Sequence, residues 1–108
     1  MFIITDADRI SEIEIKNKKI ILKFLKTLKP FGIFFNIKQG FLSRSGIPDI
    51  IGCYRGRFIA FEVKSNRGQL TKLQSVILKW ITAAGGACGV VRCLADVKTL
   101  LNGIPEKL

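Results

Sequence analysis

Residues 46–65 read GIPDIIGCYRGRFIAFEVKS. Two runs rich in β-branched and aromatic residues, 49–54 and 57–64, flank Arg55-Gly56. That is the pattern of a β-hairpin closed by a tight turn. A strand alternates its side chains between two faces. Phe58, Ala60, Glu62 and Lys64 therefore share one face, and Ile59, Phe61 and Val63 share the other. With the turn centred between Arg55 and Gly56, the residue numbers of cross-strand partners sum to 111, so Tyr54 opposes Arg57 and Asp49 opposes Glu62. A three-residue loop would break this register.

Directly opposed residues project from one face with Cβ atoms about 4.5–5.5 Å apart. Two carboxylates so placed repel each other, which makes poor structural sense on strands this apolar. It makes good sense around a divalent cation, because Mg²⁺ takes one or two carboxylates and keeps waters for substrate phosphate. Lys64 lies about 7 Å beyond Glu62 on the same face. An ammonium there can orient a water or stabilise charge on a phosphoryl oxygen.

Around the hairpin, residues 11–28 read as a helix, with Ile13, Ile20, Ile21, Phe24, Leu25 and Leu28 recurring at three- and four-residue steps. Ser11 suits its N-cap, Glu12 and Glu14 its first turn, and Pro30 and Gly32 its end. Residues 32–38 read as a strand and 39–48 as a polar loop. A second loop, 65–69, leads into an amphipathic helix over 70–84 that places Trp80 in the core, and Gly85-Gly86 terminate it. A fourth strand (87–93) and a short helix (95–101) close the chain. The order α-β-β-β-α-β-α predicts an α/β fold: a mixed four-stranded sheet flanked by helices, its last two strands parallel through the helical crossover.

The length of 108 residues suits one domain spanning 1–108, and 48 % hydrophobic residues mark a globular chain. Eighteen Lys and Arg against eight Asp and Glu give +10, a balance that favours a polyanionic partner, nucleic acid above all. The absence of histidine removes Ser-His and Cys-His nucleophile systems and histidine metal sites, leaving carboxylates, lysines and a metal for any catalysis. No apolar run is long enough to cross a bilayer, and MFIITDADR lacks the features of a signal peptide. The expectation is an intracellular, cytoplasmic protein with no membrane partner. Cys53, Cys88 and Cys93 sit in apolar segments and are expected to be small buried hydrophobes.

Pro48-Asp49 followed by Glu62-Val63-Lys64 forms a PD…E-x-K pattern. With it come the G-x-PD entry, the short G-R-F hairpin, the G-x-L-T-x-x-Q helix start at 68–74 and a Gly-Gly before the last strand. Together, over roughly residues 12 to 101, these resemble the VRR-NUC (virus-type replication-repair nuclease) branch of the PD-(D/E)XK superfamily, in its stand-alone phage or bacterial type. The resemblance implies a restriction-endonuclease-like core. It implies that Asp49 and Glu62 ligate Mg²⁺ or Mn²⁺ with the Val63 carbonyl, that Lys64 is the catalytic lysine, and that Gln74 positions water or phosphate. An acidic residue on the first helix would complete the metal site; Glu14 suits the helical pattern better than Glu12, which stays open. Thr71-x-x-Gln74 also fits a capping box. Arg44, Arg55, Arg57 and Arg67 lie in loops expected to flank the site, where they would steer DNA phosphates or merely keep a hairpin soluble. The implied function is a Mg²⁺- or Mn²⁺-dependent deoxyribonuclease, structure-selective like Holliday-junction resolvases, and acting in DNA repair as a homodimer on branched DNA. The alternatives are a non-cleaving nucleic-acid-binding module of the same fold and a general DNA nuclease without junction preference.

Overall fold

The computed structural model describes residues 6–37 and 46–106, with side chains from residue 12 onward in the first helix. Seven elements follow the expected order: α1 (Asp6–Lys26), β1 (Gly32–Asn36), β2 (Ile50–Tyr54), β3 (Arg57–Val63), α2 (Lys72–Ala83), β4 (Ala87–Val91) and α3 (Leu94–Asn102). The sheet order is β1-β2-β3-β4, with β1, β2 and β3 antiparallel and β4 parallel to β3. Among the described residues no helix is long and apolar enough to cross a membrane.

The hairpin has the predicted register: Tyr54 opposes Arg57 and Ile50 opposes Phe61. Arg55 and Gly56 both have positive φ, 51° and 84°. That is the backbone of a type I′ turn, whose twist matches the strands it joins. Ile59, Phe61 and Val63 face α1 and α3, and with Ile50, Val91, Ile21, Leu25, Val97 and Leu101 they make the core. Gly52 opposes Ile59 on this face, and a Cβ there would lie 2.3 Å from Ile33 O and 2.6 Å from the Phe34 ring. The other face of β3 lies beneath α2.

Several expectations are corrected. α1 is already helical at Asp6, so Ser11 is not its cap and Glu12 and Glu14 lie inside the helix. No glycine or proline between Asp6 and Ser11 interrupts it. Trp80 is 68 % exposed, not core. The inward stripe of α2 runs through Gln74, Leu78 and Ile81; at about 100° per residue this turns Leu73 and Trp80 roughly 100–120° away. Cys53 and Cys93 are exposed and only Cys88 is half-buried. Cys53 stands between Ile33 and Phe58 in one cross-strand row on the face opposite α1, and these two neighbours are also exposed, at 49 % and 45 %.

Candidate functional site

The site forms where β2 begins and β3 ends. Asp49 directly precedes β2, and its peptide carbonyl accepts the N–H of Ile37 at 3.0 Å. Outside the ladder its side chain is not fixed to the sheet face. The carboxylate turns along the strand end, and Oδ2 accepts the Val63 N–H at 2.8 Å. The N–H and C=O of one strand residue point the same way, so the Val63 carbonyl faces the same side. Lys18 of α1 brings its ammonium to 4.0 Å from Asp49 Oδ1. Asp49, Val63, Lys18, Glu14 and Ile15 line one small cleft.

Glu62 is 2 % exposed. A carboxylate buried that deeply needs hydrogen bonds and a countercharge. Gln74 donates from Nε2 to Glu62 Oε1 at 3.1 Å, and the Lys64 ammonium stands 3.9 Å from the same oxygen. Gln74 also closes the capping box of α2: its Oε1 accepts the Thr71 N–H at 2.9 Å, and its own N–H donates to Thr71 Oγ1 at 3.1 Å. The cap and the site use the same side chain. Asp49 and Glu62 adjoin through the Val63 peptide, yet their carboxylates are drawn to separate partners.

Of the two glutamates on α1, Glu14 lines the cleft and Glu12 is exposed. The loop after β3 meets Glu14: Ser65 donates its N–H to Glu14 Oε1 at 3.3 Å. A Cβ on Gly68 would lie 2.9 Å from the same oxygen. Arg92, just beyond β4, ties this loop down. Its Nη1 donates to the carbonyls of Ser65 and Gly68, the latter at 2.6 Å. Asn17 Nδ2 in turn donates to Arg92 O at 2.9 Å. Sequence patterns missed both Lys18 and Arg92. Lys18 carried a weak signal, standing one helical turn beyond Glu14. Arg92 carried none, because only the packing of β4 beside β3 brings it to the loop.

The arginines divide. Arg67 lies in the loop that carries Gly68 and is exposed. Arg44 falls outside the described residues. Arg55 and Arg57 do not flank the acids, contrary to expectation. They stand at the hairpin tip, six residue steps along the strand from Asp49 to Arg55, about 20 Å. A two-residue turn and the open ends of its strands are opposite ends of one hairpin. Arg55 lies over the Tyr54 ring at 5.1 Å and pairs with Glu106 at 3.5 Å, while Arg57 Nε donates to Gly85 O at 3.1 Å.

The cleft offers oxygen donors in the carboxylates of Glu14 and Asp49, with the Val63 backbone beside them. That donor set fits a hard cation such as Mg²⁺, which accepts one or two carboxylates and completes its shell with water. Among the described residues no three acidic or cysteine groups gather into a cation site on their own.

No family model and no curated protein matches the chain. A solved structure described as a VRR_NUC domain does, with a TM-score of 0.68 and 21 % identity, covering 86 % of this chain and 98 % of that one. The chain thus shares the fold of that VRR_NUC domain, a mixed four-stranded sheet flanked by helices, in agreement with the fold expected from its sequence motifs.

Proposed function

We propose that this chain is a metal-dependent nuclease that hydrolyses phosphodiester bonds in DNA. One observation carries it: two buried carboxylates, Asp49 and Glu62, joined through the Val63 peptide at the end of one hairpin, with the Lys64 ammonium 3.9 Å from Glu62. The likeness to a VRR_NUC domain and the net charge of +10 agree with it.

Asp49, Glu14 and the Val63 carbonyl would hold Mg²⁺ or Mn²⁺. Glu62 would join them by turning from Lys64. The cation, when bound, supplies charge neutralisation at phosphate and lowers the pKa of water. Lys64 is placed to stabilise negative charge developing on a phosphoryl oxygen. Gln74 holds Glu62 and can hand its amide to the water or the phosphate. Arg67 at the rim attracts the DNA backbone.

Within this reading the substrate is branched DNA and the active form a homodimer. Two sites facing one junction are what a twofold dimer supplies. The exposed row Ile33, Cys53 and Phe58, with Phe35 beside it at 55 % exposure, is the apolar surface that self-association would cover. The second reading, a nucleic-acid-binding module that does not cut, draws on the separate partners that hold Asp49 and Glu62. Labelled duplex, flap, fork and four-way junction DNA, incubated with and without Mg²⁺, test both. Mg²⁺-dependent cleavage favouring the junction supports the proposal, and binding without cleavage in either condition favours the module.

A further inference from the structure

Lys18 has no part in the sequence motif, yet it is built into the cleft. Of the lysines on α1, Lys16, Lys19, Lys23 and Lys26 are exposed, whereas Lys18 is half-buried. It lies one helical turn from Glu14, and both line the cleft with Asp49 and Val63. Its ammonium approaches Asp49 at Oδ1, 4.0 Å away, while Oδ2 is committed to the Val63 N–H. The oxygen that Lys18 approaches is thus the one more open to a cation.

We infer that Lys18 is a built-in counter-ion of this cleft that exchanges partners: it neutralises Asp49 before a divalent cation binds, and then turns to the DNA phosphate. The inference rests on the metal-dependent reading above. A divalent cation bonds carboxylate oxygen at about 2.1 Å. Such an ion on Oδ1 and an ammonium 4.0 Å from the same oxygen would repel each other strongly in a half-buried cleft. The flexible four-carbon stem of lysine lets the ammonium leave, and a bound phosphate is the anion to receive it. Lys18 therefore opposes ion binding in the free protein and favours substrate in the loaded one.

This gives opposite signs for two measurements on one variant. Lys18→Met keeps the stem and removes the charge. Calorimetric titration of the DNA-free protein with Mn²⁺ should show binding tightened on the order of tenfold, the scale on which a like charge within about 4–6 Å shifts an ionic equilibrium. Cleavage at saturating Mn²⁺ should be slower than wild type. Lys18→Arg should keep the wild-type affinity, and Lys18→Gln serves if the methionine variant does not fold. Unchanged or weaker Mn²⁺ binding in the uncharged variant overturns the role of Lys18 and leaves the metal site standing. A wild-type protein that binds no Mn²⁺ overturns both.

Discussion

The amide of Gln74 donates to Glu62 at 3.1 Å while the same side chain accepts the N–H of Thr71 at 2.9 Å. Helix start and buried acid are therefore coupled through one residue, and they can be separated by mutation. Thr71→Ala breaks the capping box but leaves the amide free to hold Glu62. It should cost about 0.5–2 kcal/mol in urea denaturation and leave cleavage near wild type. Gln74→Ala should cost a similar amount and lose cleavage as well. Equal cleavage by the two variants would reduce Gln74 to a helix cap.

Lys64→Met should lower the cleavage rate by about 10²–10³-fold, the scale on which one charge-stabilising donor contributes. DNA binding should change little, because one lysine among eighteen basic residues carries a small share of the affinity. Filter binding and single-turnover cleavage on the same preparation check the split. A parallel fall in both would make Lys64 a phosphate anchor.

The loop after β3 is held by Arg92 on one side and meets Glu14 on the other. Arg92→Ala leaves two carbonyls without their donor and should cost roughly 1–3 kcal/mol. Amide hydrogen exchange should rise at 65–68 before it rises in the strands. Gly68→Ala acts differently: its methyl would press on Glu14 Oε1, the far end of a movable side chain. It should weaken Mn²⁺ binding with little change in melting temperature, and an unchanged affinity would separate Glu14 from the metal.

Sedimentation velocity at micromolar concentration should show a dimer. Phe35→Asp places a charge on the exposed apolar face and should yield a folded monomer. A monomeric wild type that cuts linear duplex and junction equally would leave a general nuclease and remove the resolvase reading.

The hairpin was legible in the sequence because a two-residue turn fixes its register, so a single parity argument placed every pair from Ile50–Phe61 to Tyr54–Arg57. That parity did not govern Asp49, since the ladder stops at Ile50 and the side chain is free to bond a backbone N–H. The exposure of Trp80 is not legible in the sequence because apolar residues on α2 span more than one face, and the phase of the buried stripe is set by where Gln74 meets Glu62. Arg55 and Arg57 stand apart from the acids because the turn lies a full strand length from the strand ends. Lys18 and Arg92 owe their places to packing between elements far apart in sequence, which periodicity does not encode.

Single-turnover cleavage of a four-way junction by wild type and Asp49→Asn, each in Mg²⁺ and in EDTA, tests the central claim most directly. The Asn carbonyl can still accept the Val63 N–H, so the fold should survive while a charged oxygen is lost from the cleft. The account predicts cleavage by wild type in Mg²⁺ alone, and none by folded Asp49→Asn in either condition. Cleavage by Asp49→Asn near the wild-type rate, or wild-type cleavage undiminished in EDTA, would contradict it.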